Sequence, residues 1–356
     1  MPDRIAQLRE QLKQHRLDVF LISSLTHIRY LFGFTGSNAL AAVTPDRCLV
    51  ITDKRYREQV KHEVTGADIA IADQDLFVPL NDKLSLQKGM RLGFEAAYLS
   101  FKQFSHLQKL FKSIQLVATE NILERITLAR LPHEVDSTRK ACEISRAAWE
   151  AVLPCLRPGV SELDVAAEIS YQCKKRGAER DAFEPIVASG WRSALPHGTA
   201  SRKTLQRGEL VVIDFGCCYS GFNSDITRTV CIGKPTPEQR RMYEAVKEAQ
   251  QRALDALQAG MKAVDLDQVA REHLKSAGYD KAFSHSLGHG LGLEVHSKPK
   301  IGPKSKDTIP ADSIITVEPG VYIPEIGGVR IEDDVFVSSR GPEILTQIDR
   351  ELLVIE

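Results

Sequence analysis

The sequence predicts two domains, an α/β domain over residues 1–130 and an α+β domain over residues 131–356. Three observations support this prediction. The chain has 356 residues, which is more than one domain of ordinary size contains. Before residue 130, short apolar runs alternate with helical patterns, as in α/β proteins. After residue 130, long amphipathic stretches alternate with groups of strand-like segments, which is typical of an α+β arrangement.

The first domain is predicted to begin with a helix over Pro2–His15, because Ile5, Leu8 and Leu12 recur at helical spacing. The glycine-containing segment 32–40 indicates a turn. Short apolar runs predict strands at residues 19–22, 48–51, 69–71 and 91–94, and helices are expected at residues 56–64 and 101–111.

The second domain is predicted to begin with a long helix at Pro132, because proline suits the first turn of a helix. Ser161 and Asp164 form a capping-box pattern that predicts the start of the next helix. Further strands are expected at residues 209–216 and 226–232, and helices at residues 161–177, 236–260 and 261–278.

A weak internal repeat relates two parts of the second domain at a constant offset of 101 positions. The matching residues are Leu156, Gly159, Leu163, Asp164 and Val165 in one part and Leu257, Gly260, Val264, Asp265 and Leu266 in the other. Chance similarity is the alternative explanation. If the repeat is real, the domain consists of two similar halves, each with two helices on part of a sheet. A site between the halves would then draw ligands from both.

The charge balance argues against partners that are recognised by charge alone. Lys plus Arg and Asp plus Glu both number 47, so the formal net charge is zero. We therefore expect binding to neither nucleic acid nor a membrane. The seven cysteines include no CxxC pair, which argues against a disulfide framework. Because no apolar run is as long as a membrane span and no signal-peptide core is present, we expect a cytoplasmic protein.

Four carboxylates and one imidazole in the second domain are candidates for a metal site. Asp214 ends an apolar run, and Asp225 follows eleven positions later, a gap that suits paired strands joined by a turn. Glu318 ends another apolar run, and Glu332 lies in GVRIEDD. His289 is flanked by glycines, which permit close approach of the backbone.

A buried carboxylate must be paired, protonated or bound to metal. Oxygen and imidazole ligands suit manganese, cobalt or zinc, and this number of ligands suits a site of two metal ions. Each residue alone has a simpler structural explanation. Asp225 could cap a hairpin, Glu332 could pair with Arg330 at the surface, and His289 could be a hydrogen-bonded core histidine. The metal interpretation therefore depends on the whole set.

Several segments resemble the metallopeptidases with the pita-bread fold, the creatinase and aminopeptidase P type. They are VVIDFGCCYSGFNSDITRTV, FSHSLGHGLGLEVHSKP, ITVEPGVYIP and GGVRIEDD, preceded by FEPIVASGWRSALPHG. In the first domain, IRYLFGFTGSNAL and LVITDKRYREQV resemble the smaller N-terminal domain of that family. The resemblance covers nearly the whole chain. It implies an α/β N-terminal domain plus an α+β pita-bread catalytic domain.

The resemblance also implies a metal ligand at each matching position. Asp214 would chelate one divalent ion, and His289 with Glu318 would bind a second. Asp225 and Glu332 would bridge the two ions. Manganese is the first expectation for both, with cobalt or zinc as alternatives.

Other residues of the family pattern are expected around these ligands. Glu318 would also carry the proton from water to the leaving proline nitrogen. The remaining expected catalytic residues are His197, His285 and His296, which would orient substrate and stabilise the oxyanion, and Arg330, which would support Glu332. The chain departs from the pattern at Ser297, where the family often has an acid, and at Trp191 and Arg192, where it often has smaller residues.

The resemblance implies hydrolysis of X–Pro peptide bonds, with proline-containing peptides as substrates. We expect an Xaa-Pro aminopeptidase, which releases the N-terminal residue from peptides with proline second. An Xaa-Pro dipeptidase (prolidase) is the alternative, because the ligands do not separate the two activities. A methionine aminopeptidase-like enzyme and a non-enzymatic binding module of the same fold rank lower. The resemblance further implies a homodimer.

Overall fold

A computed structural model of the chain describes residues 2–356. These residues divide into two compact units, the first ending at Thr127 and the second spanning Leu128–Glu356. No helix within the described residues is long and apolar enough to cross a membrane. All seven cysteines are free thiols.

The first unit is built on a mixed six-stranded sheet with the order β4-β3-β2-β1-β5-β6. Its strands are β1 Val19–Ile22, β2 Ala39–Val43, β3 Cys48–Asp53, β4 Asp68–Ala72, β5 Arg91–Glu95 and β6 Gln115–Thr119. Its helices are α1 Pro2–His15, α2 Leu25–Phe32, α3 Arg57–Glu63, α4 Val78–Leu84, α5 Phe101–Leu110 and α6 Ile122–Ile126. Apolar side chains of the strands and of α4 and α5 form its core.

Every element that the sequence predicted in this unit is present within one or two residues, and several others were missed. Helix α2 is capped by Ser24, whose side chain accepts from the His27 N–H, and it ends at Gly33, where φ is 86°. Strand β2 begins at the end of the segment predicted as a turn and extends past it. It reads ALAAV, and its alanines lack the β-branched side chains that mark a strand.

The second unit has four α-helices, α7 Pro132–Val152, α8 Glu162–Lys175, α9 Pro237–Ala256 and α10 Ala263–Ser276. The first seven strands are β7 Arg180–Asp181, β8 Ile186–Ser189, β9 Leu210–Phe215, β10 Cys217–Tyr219, β11 Phe222–Asn223, β12 Ile226–Ile232 and β13 Gly288–Gly290. The other seven are β14 Ser297–Ile301, β15 Ser313–Val317, β16 Gly320–Ile323, β17 Gly327–Arg330, β18 Asp333–Ser338, β19 Gly341–Ile344 and β20 Leu353–Ile355.

The second unit consists of two similar halves. Helices α7 and α8 pack on a sheet with the order β20-β12-β9-β8, and α9 and α10 pack on a sheet with the order β14-β13-β15-β18-β19. In each half a glycine with positive φ precedes the second helix: Gly159 at 91° and Gly260 at 85°. The Gly159 N–H donates to the Leu205 carbonyl, and the Gly260 N–H donates to the Ile309 carbonyl. The weak sequence repeat therefore corresponds to a structural repeat.

The connection between β9 and β12 differs from the simple turn that the sequence predicted. The two strands pair antiparallel, with Asp214 opposite Thr227, as expected for a hairpin. The residues between them form β10 and β11, which pair with each other as a smaller hairpin. Asp225 lies two positions after the end of β11, immediately before β12.

Candidate active site

All nine side chains that the sequence singled out line one cavity of about 660 Å³ in the second unit. They are His197, Asp214, Asp225, His285, His289, His296, Glu318, Arg330 and Glu332. The cavity is also lined by apolar side chains, among them Phe183, Ile186 and Val295. Acidic, basic and apolar groups thus meet in one concave site, as in enzymes that bind small substrates.

The two halves contribute different members of the predicted ligand set. The first half supplies Asp214, which lies on the buried strand β9, and Asp225, immediately before β12. The second half supplies His289 on β13, Glu318 directly after β15, and Glu332 between β17 and β18. One side-chain atom each from Asp225, His289 and Glu332 lie within 4.8 Å of one another, a spacing that could hold a metal ion.

His289 is held with one ring nitrogen directed at the acids. Its Nε2 lies 3.2 Å from Glu318 Oε1 and 3.8 Å from Asp225 Oδ2. Its Nδ1 lies 3.2 Å from the Gly290 carbonyl, a contact that suits an Nδ1–H donor. Such a bond leaves Nε2 as the free lone pair that a metal ligand needs.

The glycines around His289 are required by the close approach of neighbouring strands. A Cβ on Gly288 would lie 2.1 Å from the Thr316 carbonyl oxygen. A Cβ on Gly290 would lie 1.9 Å from the carbonyl oxygen of Lys298. Any side chain at either position would move the strand that carries His289.

Burial and mutual repulsion shape the charges of the acids. Burial, followed by the charges of Glu332 and Asp214, holds the pKa of Asp225 well above its usual range. Burial and the neighbouring acids likewise raise the pKa of Glu332 and, despite the opposing charge of Arg330, the pKa of Asp214. Without a cation, this cluster therefore favours protonated carboxyls.

Glu318 is the exception in this cluster. Burial would raise the pKa of Glu318, but the hydrogen bond and charge of His289 outweigh burial and lower it to about 2. The pKa of His289 is raised in turn: burial opposes its charged form, and Glu318 stabilises it. Glu318 also accepts from Thr316 Oγ1 at 3.1 Å. It is thus an ionised carboxylate held in a fixed orientation.

The donor set fits a divalent cation. Asp214 Oδ1 is buried and has no hydrogen-bond partner among the described residues, although a buried carboxylate oxygen is costly to leave unpaired. Carboxylate oxygens and one imidazole nitrogen are the ligands that manganese, cobalt and zinc accept. A cation would also remove the repulsion that raises the pKa of Asp225 and of Glu332.

Arg330 contacts Asp214 and reaches Glu332 only through an intermediate. Its Nη2 donates to Asp214 Oδ2 at 2.6 Å, and its Nε donates to Thr227 Oγ1 at 3.0 Å. Thr227 Oγ1 in turn donates to Glu332 Oε2 at 2.6 Å. The resemblance implied support of Glu332 by Arg330, and the structure shows that Thr227 mediates it.

Two further side chains of the site, Thr227 and Tyr322, were missed by reasoning from sequence. Tyr322 OH lies 2.9 Å from His285 Nε2 and accepts from Arg330 Nη1 at 2.8 Å. Thr227 could have been found, because residues two apart on a strand share a face and Asp225 lies two positions earlier. Nothing in the local sequence marks Tyr322.

The three predicted histidines outside the ligand set lie on different parts of the cavity wall. His285 bonds Tyr322, and the ring of His296 lies 4.4 Å from that of His289, centroid to centroid. Burial lowers the pKa of both His285 and His296, so both favour the neutral imidazole. His197 lies in the segment after β8 and lines the same cavity.

Known proteins match both units of the chain. The model of metallopeptidase family M24 matches residues 136–339, and that of the creatinase/prolidase N-terminal domain matches residues 4–127. The Xaa-Pro dipeptidase of Pyrococcus furiosus is 37% identical over 355 residues, covering 99% of this chain and 100% of the relative.

Solved structures match over nearly the same length. An Xaa-Pro dipeptidase from Bacillus anthracis superposes with a TM-score of 0.93 at 36% identity and covers 99% of each chain. An X-Pro aminopeptidase from Thermotoga maritima superposes with a TM-score of 0.89 at 36% identity, covering 96% of this chain and 98% of the other.

Proposed function

Because this chain belongs to metallopeptidase family M24 and carries a creatinase/prolidase N-terminal domain, we propose that it is an Xaa-Pro dipeptidase. It is a metallo-exopeptidase with the pita-bread fold, and its family implies divalent metal ions. The proposed substrates are dipeptides whose second residue is proline. The observation that carries this proposal is similarity over nearly the full length to relatives named for that activity.

This proposal reverses the order expected from the sequence, which placed Xaa-Pro aminopeptidase first. Relatives named Xaa-Pro dipeptidase match 99% of this chain, and they favour the narrower activity. Xaa-Pro aminopeptidase stays the second candidate, because the Thermotoga maritima structure of that name is similar at the same identity as the first dipeptidase structure.

A basic side chain in the cavity supports a dipeptide substrate. A dipeptide carries its free carboxylate on the proline itself, so its site needs a positive group close to the scissile bond. Among the described residues, Arg330 and Lys300 are the arginine and lysine side chains that line the cavity. The guanidinium of Arg330 already donates to Asp214 and Tyr322. The Lys300 backbone N–H is fixed by Asp307 while its side chain remains exposed, so we assign Lys300 to the substrate carboxylate.

We assign the metal site to two divalent ions, manganese first. The proposed ligands are Asp214, Asp225, His289, Glu318 and Glu332. When bound, such ions lower the pKa of water and polarise the scissile carbonyl. This matters for an X–Pro bond, because its tertiary amide has no N–H for an extended-backbone protease to bind.

The chain's own residues supply positioning and proton transfer. We assign to Glu318, which is ionised in this environment, the transfer of a proton from the attacking water to the leaving proline nitrogen. His285 and His296 line the cavity in which we expect negative charge to develop on the carbonyl oxygen. Arg330 and Thr227 hold Asp214 and Glu332 in place.

The deciding experiment compares Ala-Pro with Ala-Pro-Ala in the presence of manganese. We expect kcat/KM for the dipeptide to exceed that for the tripeptide by about 10-fold or more, because the tripeptide carries its carboxylate one residue further from Lys300 and a lost hydrogen bond to a charged group costs roughly 1.5–3 kcal/mol. Equal or faster cleavage of the tripeptide would contradict the dipeptidase and establish the aminopeptidase. No cleavage of either, with metal bound, would contradict both.

Lys300→Ala tests the assignment of the carboxylate. We expect KM for Ala-Pro to rise by about 10-fold, the effect of losing one hydrogen bond to a charged group. Lys304→Ala is the matched control, since Lys304 lies four positions later in the sequence, is exposed and does not line the cavity. An unchanged KM in Lys300→Ala would remove this residue from the proposal.

The oligomeric state and the compartment are proposals of the same kind. We propose a cytoplasmic homodimer, on the strength of the family resemblance. Light scattering coupled to size-exclusion chromatography checks the first: a mass of about 40 kDa, against 39.6 kDa for one chain, would contradict the dimer.

A further inference from the structure

One wall of the cavity is a loop whose two ends are held by the same side chain. We call residues 190–200, between Ser189 at the end of β8 and Ser201, the His197 loop. Three of its residues, Pro196, His197 and Thr199, line the cavity. The loop begins with a short 3-10 helix, Gly190–Ala194, and has no strand or α-helix of its own.

Glu162, in the first turn of α8, is fully buried and joins the two ends of the His197 loop. Its Oε1 accepts from the Ser189 N–H and hydroxyl, both at 2.8 Å. Its Oε2 accepts from the Ser201 N–H at 3.1 Å and the Ser201 hydroxyl at 2.7 Å. One carboxylate thus receives four hydrogen bonds from residues that lie twelve positions apart in the sequence.

Arg192 extends this connection into the loop. Its Nε donates to Glu162 Oε2 at 3.0 Å, and its Nη2 donates to the Thr199 carbonyl at 2.5 Å. A planar guanidinium suits such a two-sided contact, because its donors point in fixed directions. The Glu162 carboxylate therefore holds the ends of the loop directly and its middle through Arg192.

The His197 loop also contacts the strand that carries Arg330. The Pro196 carbonyl accepts from Arg330 Nη1 at 3.1 Å, and Ser193 Oγ accepts from the Gly328 N–H at 2.8 Å. Both are contacts within the second unit. Displacement of the loop would therefore move His197 and remove one of the partners that orient Arg330.

We propose that Glu162 is a positioning residue for catalysis, which acts by fixing His197 at the wall of the active site. This inference rests on the proposed function, because it assigns His197 to the substrate. Glu162 itself does not line the cavity.

The charge of Glu162 is essential to this role for a geometric reason. Each of its two oxygens accepts from a backbone N–H, one from Ser189 and one from Ser201. A glutamine has one acceptor oxygen and one donor NH₂ group, so in either amide orientation an NH₂ group faces an N–H donor. Glu162→Gln keeps the shape of the side chain and must release one end of the loop.

The test measures steady-state kinetics of Glu162→Gln with Ala-Pro and manganese, beside Glu168→Gln on the same helix. We expect kcat to fall by about 10-fold or more in Glu162→Gln, while the manganese concentration that gives half-maximal activity stays unchanged. Glu168→Gln should show wild-type kinetics. In a His197→Ala background the same substitution should cost less than about 3-fold, because residues that act through one another are not additive. Equal losses in both backgrounds would overturn the proposal.

Two further measurements keep the test decisive. Arg192→Lys keeps the positive charge but loses the planar guanidinium that donates to both Glu162 and the Thr199 carbonyl, so it should also reduce kcat. This variant tests the proposal if Glu162→Gln fails to fold. Trypsin cleavage after Arg202, an exposed residue directly after Ser201, reports release of the loop without reference to activity. Faster cleavage in Glu162→Gln than in Glu168→Gln is expected, and equal rates would contradict the positioning role. If the wild-type chain does not hydrolyse Ala-Pro, the proposed function fails while this cleavage comparison still tests the loop.

Discussion

Asp225 and Glu332 come from different halves of the second unit, and the charge of Glu332 raises the pKa of Asp225. Both are buried, and the pKa of each is raised by burial and then by neighbouring carboxylates. The Nε2 of His289 lies 3.8 Å from Asp225 Oδ2. Such a pair is stable as two anions only with a cation between them.

Asp225→Asn and Glu332→Gln should each abolish most of the hydrolysis of Ala-Pro. We expect a loss of about 100-fold or more in kcat/KM, because both proposed ions lose a bridging ligand and the reacting groups shift. Metal content by mass spectrometry should fall together with activity. Glu325→Gln, in the turn between β16 and β17, is the control and should behave as wild type. Near wild-type hydrolysis with metal still bound would refute the proposed ligands.

The pH dependence of stability should differ between the metal-free and metal-loaded protein. Burial raises the pKa of Asp334, whose Oδ2 accepts from the Asp225 N–H, to about 8 in the metal-free protein. A carboxyl whose pKa is raised on folding stabilises the folded state below its unfolded pKa, and this contribution disappears as the pH rises through the folded value.

We therefore expect the metal-free protein to lose stability between about pH 4, the ordinary pKa of an aspartate, and about pH 8. Thermal melts with chelator across this range measure the effect. The metal-loaded protein should lose less, because the cation stabilises the ionised acids beside Asp334. A metal-free Tm that is constant or rises across the range would contradict the raised pKa.

At the level of single residues, sequence patterns located the acids but not their partners. Asp214 and Glu318 were found because each follows a run of buried strand residues. Tyr322 was missed, because its contact with His285 joins residues 37 positions apart and leaves no local pattern.

A helix in each half holds a loop that carries a histidine of the cavity wall. In the second half this helix is α10, where Asp267 accepts from Arg271 Nε at 2.8 Å and from the Leu287 N–H at 3.1 Å. Arg271 donates to the Phe283 and His285 carbonyls at 3.0 and 2.9 Å. The backbone of residues 283–287 is thus held by one ion pair on α10.

Asp267→Asn should weaken this support and lower kcat through His285. We expect a loss of stability of about 1–3 kcal/mol, because Arg271 and the Leu287 N–H lose a charged acceptor. Urea unfolding gives the stability, and Ala-Pro kinetics give the rate. Asp265→Asn on the same helix is exposed and should change either value little. If Asp267→Asn loses stability but keeps wild-type kcat, the ion pair has only a structural role.

A larger share of the helices than of the strands was predicted from the sequence, because the residues that mark a helix lie close together in the chain. The capping box of α9, Thr236 with Gln239, is local and was read directly from the sequence. Strands β13 and β16 have three and four residues, too few for a periodic pattern. Their pairing is decided by partners elsewhere in the chain.

For the second unit as a whole, the proposed metal ions would join its two halves. Of the proposed ligands, Asp214 and Asp225 belong to the first half, and the other three belong to the second. A buried ion pair also crosses between the halves, from Arg228 on β12 to Asp333 on β18, at 2.7 Å. The ion pair between Arg228 and Asp333 is made by the protein's own side chains, whereas a chelator can remove the proposed metal ions.

Removal of metal should therefore lower the Tm of the protein. At a manganese concentration of about 1,000 times Kd, binding stabilises the folded state by about 4 kcal/mol. For a unit of this size, that corresponds to about 10 °C in Tm. Calorimetry with manganese or with EDTA measures the difference, and Glu332→Gln should reduce it. An identical Tm with and without chelator would contradict a metal that joins the halves.

The sequence by itself determined the family, the pita-bread fold and the positions of nine candidate residues, because each lies in a segment with a distinctive local pattern. Only the tertiary structure decided how those residues are held. Arg330 acts on Glu332 through Thr227, Tyr322 binds His285, and Glu162 closes the His197 loop. These contacts join residues that are far apart in the chain. Hydrogen bonds act over about 3 Å of space, and the distance between two residues in the sequence does not reveal which of them the fold brings that close.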